Sequence, residues 1–377
     1  SEPAFARNDL SGALRRMGDV PTAHAEALAQ AIDAKLRGWS RAGVVQEYHS
    51  LRKRGPIKEQ VHSKLNRFGG AMGPYRDSML SLKTVEYINA SPIDCLHSGH
   101  RFVATMCPKR STFAHFWSMV WEMGSPIVVN LTHEEDSVGS GPSDKRERYW
   151  PPFGGDGGGG GPWLVQPELA GAEHSPTVPG LSRYHIILSH VHTGERRTVL
   201  LLWYAKWIDF ADSHMIGSEA FHKNAAHVLA LAYGVRALLG PAALTQWPVV
   251  HCSAGVGRTG TFICLLEVLQ HLHSVGRELR ALDALVASTI EAMRDRRVWM
   301  VKSEFEYATV YAALSLHLRK RVAANAAVDG WRSGDYESAV ASGGIAPDAV
   351  DVQGRRRDPM RTPEAFYSRG AHEPPSS

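Results

Sequence analysis

The spacing of hydrophobic residues along the chain predicts alternating helices and strands. Apolar residues recur at helical intervals through Leu28, Ile32 and Leu36, and again across residues 221–239. Short apolar runs between turn residues predict strands at 126–131, 183–192, 197–203 and 248–250. The second and third of these runs flank a short polar turn and predict a hairpin.

Changes in composition divide the chain into three parts. Residues 1–44 are rich in Ala, Leu and Arg and predict a helical N-terminal extension. Residues 45–320 carry the strand and helix patterns of one domain. Within this domain, the five consecutive glycines at 157–161 predict a flexible surface insertion over 151–163. From 321 to 377 large apolar residues become sparse, which predicts a mobile C-terminal tail.

Charge and cysteine content narrow the class of protein. The 377 residues have a net charge of +4, which is too small an excess to indicate a nucleic-acid partner. The four cysteines, Cys95, Cys107, Cys252 and Cys264, have no paired metal-ligand spacing and are sparse for a disulfide framework, which favours a reducing compartment. We expect neither a metal nor another cofactor. The sequence has no apolar run of membrane-spanning length and no signal-like N-terminus. We therefore expect a cytoplasmic protein without direct membrane insertion.

One stretch carries the clearest chemical signal. The predicted strand at 248–250 leads into His-Cys-Ser-Ala-Gly-Val-Gly-Arg-Thr-Gly, and an apolar helix follows. A strand, a Gly-rich turn and a helix N-terminus together form an anion-binding cradle. Cys252 begins this cradle and Arg258 ends it. No Gly-Lys-Ser or Gly-Lys-Thr follows, which excludes a nucleotide P-loop.

These residue types suit phosphoryl transfer. Beneath inward-pointing amides and beside a guanidinium, the Cys252 thiol should ionise readily and act as a nucleophile. The planar fork of Arg258 can hold two phosphoryl oxygens. The alternative, a buried structural thiol and an unrelated surface charge, fits a bare Cys and Arg better than it fits this whole stretch. The predicted oxyanion site consists of Ser253, Ala254, Gly255, Val256, Gly257 and Arg258.

The stretch resembles the signature of the eukaryotic, tyrosine-specific protein tyrosine phosphatases. Two further runs support this resemblance, Tyr-Ile-Asn-Ala at 87–90 and Phe-Trp-Ser-Met-Val-Trp at 116–121. The resemblance implies a single α/β domain whose twisted, mixed central sheet is flanked by helices. It also implies an enzyme that hydrolyses phosphotyrosine in proteins through a phosphocysteine intermediate. Its partners would be phosphotyrosine-containing proteins, with phosphate or other oxyanions in the loop.

The resemblance also assigns roles outside the loop. Asp209 would be the general acid, with Asp212 a poorer candidate, and Thr259 would hydrogen-bond the thiolate. Tyr75 would be the aromatic wall for the phosphotyrosine ring, and Asp77 would hold the backbone of the substrate peptide. The alternatives are an ordinary loop tyrosine at 75 and a helix-capping aspartate at 209.

Three residues depart from the family pattern. Lys302 and Glu306 replace the two glutamines that position the hydrolytic water, and Ile208 replaces the proline before the acid. A lysine donates to water and an ionised glutamate only accepts, so we expect thiol phosphorylation to be preserved better than hydrolysis. Two alternatives stay open: a phosphotyrosine-binding pseudophosphatase, and a dual-specificity or phosphoinositide phosphatase.

Overall fold

A computed structural model describes residues 21–38, 43–53, 57–68, 72–134, 136, 146–153, 163–175, 178–207, 215–239 and 245–333. The chain forms two compact units, Ser1–Arg319 and Lys320–Ser377. Of the predicted tail, residues 334–377 lie outside the described part of the chain.

The helices predicted around residues 28–36 and over 221–239 are present in the structure. The two N-terminal helices are α1 (Thr22–Arg37) and α2 (Gly43–Lys53). The others are α3 (Phe113–Glu122), α4 (Glu219–Leu239), α5 (Gly257–His271), α6 (Leu279–Arg296) and α7 (Glu304–Ser333). Helix α7 continues past residue 320, where the domain was predicted to end.

The strands form one mixed sheet. They are β1 (Ala90–Asp94), β2 (Arg101–Met106), β3 (Ile127–Asn130), β4 (Val165–His174), β5 (Leu181–His190), β6 (Arg196–Tyr204) and β7 (Val249–Cys252). Their order is β1-β2-β7-β3-β6-β5-β4. The central strands β2, β7, β3 and β6 are parallel, whereas β1 and the β4-β5-β6 meander pair antiparallel. The predicted α/β fold with a mixed central sheet and helices at the N-terminus is confirmed.

Strand β7 lies in the buried centre of the sheet. All four residues of β3 and all four of β7 are buried, as expected for parallel strands covered on both faces. Helix α3 packs on this sheet with Phe116 and Trp117 in the core, and the Trp117 indole donates to the Tyr149 carbonyl oxygen at 2.8 Å. Strand β7 lies between the parallel strands β2 and β3, and Cys252 is its last residue. Cys252 therefore sits at the carboxyl edge of the sheet, where open α/β sheets bind ligands.

The N-terminal helices are joined to the rest of the first unit by a buried charge. The Lys35 ammonium, whose side chain is 7% exposed, lies 2.8 Å from the Glu47 carboxylate and 2.5 Å from that of Asp283. It also lies 4.3 Å from the centre of the Tyr311 ring. Helices α1, α2, α6 and α7 therefore meet around one cation, which makes the N-terminal helices part of the domain.

We expect Lys35→Met to lower the free energy of unfolding by about 2 kcal/mol, because Glu47 and Asp283 would lose their shared cation. Urea denaturation measures this change. The control is Arg76→Met, which removes a pair with Glu59 in which both side chains are 65% exposed and which should not measurably alter stability. Equal effects of the two substitutions would contradict the prediction.

Candidate active site

The predicted nucleophile and the predicted guanidinium line the same pocket. Cys252 ends β7, residues 253–256 form a tight turn, and α5 begins at Gly257, so that Arg258 lies in its first turn. The cavity has a volume of about 160 Å³. Its lining combines Cys252, Ser253, Ala254, Val256, Gly257 and Arg258 from the loop with Phe68, Met72, Lys302 and Glu306.

Two carbonyl groups of the loop are held outward by a buried arginine. Arg297 is fully buried, and its Nε donates to the Gly255 carbonyl oxygen at 2.7 Å. Its Nη2 donates to the Ala254 carbonyl oxygen at 3.0 Å and to Asn89 Oδ1 at 2.7 Å. Burial lowers the pKa of Arg297 to about 10, so the guanidinium is still charged at neutral pH.

The remaining carbonyl groups of the turn are also bound by the protein. The Ser253 carbonyl oxygen accepts from the Cys107 amide at 3.0 Å, and that of Val256 accepts from the Gly260 amide at 3.0 Å. By contrast, the amides of residues 253–257 have no acceptor within the described part of the chain. A loop whose carbonyls all turn outward presents its N–H groups to the inside, where they can bind an oxyanion.

Two glycines allow this conformation. Gly255 has a φ of +71°, and a Cβ atom there would lie 2.0 Å from the Thr105 carbonyl oxygen. A Cβ atom at Gly257 would lie 2.1 Å from Glu306 Oε1. The first glycine permits the left-handed turn and the second permits a carboxylate to pack against the start of α5.

Arg258 is oriented by a carboxylate that sequence reasoning missed. Its Nη2 donates to Asp136 Oδ2 at 2.9 Å and to Ser253 Oγ at 2.9 Å, and the side chains of Arg258 and Asp136 are 2% and 5% exposed. The Ser253 hydroxyl donates to the same Asp136 oxygen at 3.2 Å. The available signal was the position of Asp136 shortly after the buried strand β3. Polar residues that follow parallel strands gather at the carboxyl edge of the sheet.

The predicted general acid, Asp209, and its poorer alternative, Asp212, lie outside the described residues. Trp207, which precedes Asp209 by two positions in the sequence, is fully buried. Its carbonyl oxygen accepts from Arg258 Nη1 at 3.1 Å. Trp207, the last described residue before Asp209, therefore contacts the guanidinium of Arg258 directly.

Thr259 directly follows Arg258 in α5 and is fully buried. Its hydroxyl has no hydrogen-bond partner in the described part of the chain, so it is not bonded to the Cys252 sulfur. A buried hydroxyl without a partner is uncommon and calls for an explanation. A change in the charge or position of the sulfur during turnover would provide one.

Both replacements of the family glutamines lie at the pocket, and Glu306 also has a structural role. Its Oε2 accepts from the Lys302 amide at 2.6 Å and from the Ser303 amide at 3.0 Å. The Ser303 hydroxyl in turn accepts from the Glu306 amide at 3.2 Å. This reciprocal pairing is a capping box at the start of α7. It fixes the Glu306 carboxylate beside Gly257.

The structure does not bring Tyr75 to the pocket. An antiparallel bridge pairs Tyr75 with Gln60, and its ring packs beneath the loop against Val256 and Val298 with 3% exposure. Phe68 lines the pocket in its place. The available signal was the run Lys-Leu-Asn-Arg-Phe at 64–68, which resembles the family's Lys-Asn-Arg-Tyr and places Phe68 directly after the arginine.

Asp77 is also absent from the pocket lining. Its side chain is 60% exposed and lies 3.1 Å from the Lys58 ammonium. Hydrogen bonding to Lys58 lowers the pKa of Asp77, which is therefore ionised at neutral pH. The predicted contact of Asp77 with the backbone of a substrate peptide stays a prediction.

His251 supports the loop as a neutral side chain. It is fully buried, and its Nδ1 donates to the Cys252 carbonyl oxygen at 3.1 Å while Nε2 accepts from the Tyr149 hydroxyl at 2.6 Å. Burial lowers the pKa of His251 to about 3. At neutral pH the imidazole is therefore uncharged, in the tautomer that this pair of bonds requires.

Neither a metal cluster nor a membrane span occurs in the part of the chain that the structure describes. No three His, Cys, Asp or Glu side chains there could together hold a metal ion. Within the same residues, every helix is too short or too polar to cross a membrane.

The fold places Cys252 and Arg258 in one pocket at the carboxyl edge of an α/β sheet. The family model described as protein-tyrosine phosphatase matches residues 62–315. The chain is 30% identical over 333 residues to human receptor-type tyrosine-protein phosphatase H. It is 26% identical over 323 residues to mouse tyrosine-protein phosphatase non-receptor type 9, and 28% identical over 270 residues to rat non-receptor type 21. The chain belongs to the protein-tyrosine phosphatase family.

The similarity covers most of this chain but a smaller part of each relative. The three alignments include 82%, 78% and 68% of this chain, in the order given above. They include only 26%, 49% and 21% of the respective relatives. The chain thus corresponds to one part of each of these longer proteins.

The pKa of His251 generates a prediction about acid stability. Below about pH 6.5 the unfolded chain binds a proton at His251, whereas the folded chain does so only near pH 3. Stability should therefore decrease as the pH falls through this window, by about 1.4 kcal/mol per pH unit from this residue. Urea denaturation between pH 7 and pH 4 should give a shallower decrease for His251→Asn. The same slope in both proteins would refute the prediction.

Proposed function

We propose that this chain is a protein tyrosine phosphatase that hydrolyses phosphotyrosine in proteins through a phosphocysteine intermediate. The observation that carries the proposal is the loop: Cys252 and Arg258 line one pocket, and the described chain offers no acceptor to the amides between them. Membership of the protein-tyrosine phosphatase family supports the same assignment. The chemistry uses only groups of the chain and needs no cofactor.

In the first step, the Cys252 thiolate attacks phosphorus in line, and a sulfur–phosphorus bond forms as the bond to the tyrosine oxygen breaks. The amides of residues 253–258 and the Arg258 guanidinium hold the equatorial oxygens, so catalysis consists largely of positioning and charge stabilisation. Asp209 donates a proton to the leaving phenolate, whose conjugate acid has a pKa of about 10. Such a donation contributes about 10²–10⁴-fold to the rate. The bond from Arg258 to the Trp207 carbonyl supports this placement of the acid segment.

In the second step, water attacks phosphorus and gives a proton to the Asp209 carboxylate left by the first step, the sulfur–phosphorus bond breaks and inorganic phosphate leaves. The Cys252 thiolate is restored. The buried Thr259 hydroxyl is the proposed hydrogen-bond donor to this thiolate, because it has no other partner among the described residues. A hydrogen bond to an ionised group is about twice as strong as a neutral one and would make sulfur a better leaving group.

The proposed substrate class follows from the wall of the pocket. The Phe68 ring lines the same cavity as Cys252 and Arg258, where it can stack on a phosphotyrosine ring. We assign the stacking role to Phe68, since Tyr75 is buried beneath the loop. A dual-specificity or phosphoinositide phosphatase is the alternative, and comparison of substrates distinguishes these classes.

The function is tested by release of inorganic phosphate from a phosphotyrosine peptide. We expect Cys252→Ser to lower turnover by about 10³-fold or more, because a hydroxyl there is a far weaker nucleophile. Cys264→Ala is the matched control, since Cys264 is a buried thiol in α5 away from the pocket lining. Unchanged turnover in Cys252→Ser would refute the proposal. Comparable release from a phosphoserine peptide would favour dual specificity.

The second step is the proposed rate-limiting step. The fixed Glu306 carboxylate brings negative charge to a pocket that must hold a phosphoryl group, and Lys302 can donate a hydrogen bond to water but cannot accept one. Both features hinder the orientation and activation of a hydrolytic water. The limiting case is a pseudophosphatase that binds phosphotyrosine without turnover, which is the second candidate function.

Rapid-mixing kinetics with p-nitrophenyl phosphate should therefore give a burst of nitrophenol of about one equivalent, followed by a slower steady state. The double variant Lys302→Gln, Glu306→Gln should speed the steady state about threefold to tenfold, because glutamine can both donate to water and accept from it. Its amide oxygen can also preserve the capping box.

The control for the double variant is Glu304→Gln, which removes a carboxylate from the same turn of α7 without altering the pocket lining. Its steady-state rate should stay within twofold of the unmodified protein. A linear time course without a burst would contradict a slow second step. Absence of both burst and turnover would favour the pseudophosphatase.

A further inference from the structure

The segment between α6 and α7, residues 297–303, joins the N-terminal helices to the pocket. It carries Lys302, and Glu306 follows in the first turn of α7. Trp299 and Val301 in this segment have a φ of 57°, in the left-handed region that side chains other than glycine rarely adopt. For a β-branched residue such as Val301 this is an outlier, so the surrounding structure must impose it.

Side chains from two helices impose this conformation by binding the carbonyl groups of the segment. Arg294 of α6 donates to the carbonyl oxygens of Met300 at 2.9 Å and Val301 at 2.8 Å. Tyr48 of α2 donates to the Val301 carbonyl oxygen at 3.3 Å and to that of Lys302. Tyr48 is 1% exposed, so these contacts are shielded from water.

Hydrogen bonds to neighbouring helices hold α2 in place, and they thereby fix the position of Tyr48. The neighbouring Glu47 carboxylate accepts from the Lys35 ammonium at 2.8 Å and from the Tyr307 hydroxyl. Arg294 also donates to the Leu51 carbonyl oxygen near the end of α2, at 2.9 Å. The position of α2 is thus transmitted to the Lys302 peptide through the Tyr48 hydroxyl.

We propose that Tyr48 is a positioning residue for the second half of the reaction. Its hydroxyl holds the Lys302–Ser303 peptide group, whose N–H binds the Glu306 carboxylate. Loss of this hydroxyl would loosen Lys302 and Glu306 together, and with them the groups nearest the hydrolytic water. This inference deepens the proposed function and rests on it.

The first half of the reaction should depend much less on Tyr48. The carbonyls of the catalytic loop are held by Arg297 and by the Cys107 amide, neither of which contacts Tyr48. Arg297 is itself the first residue of the segment, but its amide is anchored to a carbonyl oxygen in the last turn of α6 at 2.8 Å. The Val301 amide also binds the Val256 carbonyl oxygen at 3.3 Å, and that carbonyl has a second donor. The Cys252 loop can therefore keep its shape without the Tyr48 hydroxyl.

The test is Tyr48→Phe, assayed in the full chain with a phosphotyrosine peptide. We expect kcat to fall about fivefold, the factor that corresponds to one lost hydrogen bond. KM should fall by the same factor and kcat/KM should stay within twofold, because kcat/KM reports only the steps through thiol phosphorylation. The nitrophenol burst should keep its rate.

The matched control is Tyr311→Phe, whose hydroxyl donates to Asp283 at 2.7 Å in the same helical junction without contacting the segment. It should change neither kcat nor KM by more than twofold. A parallel fall of kcat and kcat/KM in Tyr48→Phe would indicate a merely structural role and overturn the inference. Unchanged kinetics in Tyr48→Phe would also overturn it. If the unmodified protein released no phosphate, the proposed function itself would fail, which is a separate outcome.

Discussion

The structure depends on one constraint: every carbonyl group of the Cys252 loop is bound from outside the loop. Arg297 is the main agent, because its planar fork holds two successive carbonyls that no other side chain in the described residues reaches. Burying this guanidinium is unfavourable, as its lowered pKa indicates. The molecule offsets the cost with carbonyl and amide oxygens around the ion, which leaves the loop N–H groups available for an oxyanion.

The rest of the fold positions this loop and supplies the side chains that contact it. The central position of β7 puts Cys252 at the carboxyl edge of the sheet, and neutral His251 supports the peptide that follows. Asp136 orients the Arg258 guanidinium and balances part of its charge before any ligand arrives. Glu306 caps α7 and contributes a pocket carboxylate at once, so one residue serves both stability and chemistry.

The proximity of residues that are close in sequence was predictable, whereas contacts between distant segments were not. Cys252 and Arg258 are six residues apart in one strand–turn–helix unit, so local rules bring them together. Asp136 reaches Arg258 only through the packing of β3 beside β7, which no local pattern encodes. Strand β4 was missed because its residues alternate only between partly buried and exposed positions for most of its length.

The aromatic wall shows the same limit within a short stretch. The sequence predicted Tyr75 as the aromatic residue that contacts the substrate ring, because no local pattern shows that this ring is buried. Backbone pairing of Tyr75 with Gln60 and burial of its ring against Val256 leave Phe68 at the pocket. The left-handed conformation of Trp299 was equally hidden, since it is imposed by the residues that bind the carbonyls around it.

The most direct measurement of the central claim is a crystal structure with tungstate, which mimics the phosphoryl group. The outward-turned carbonyls predict that the tungstate oxygens accept hydrogen bonds of about 3 Å from the amides of residues 253–258 and from Arg258, with the metal facing the Cys252 sulfur. An ion that binds only elsewhere, or loop carbonyl groups that point into the pocket, would contradict the account.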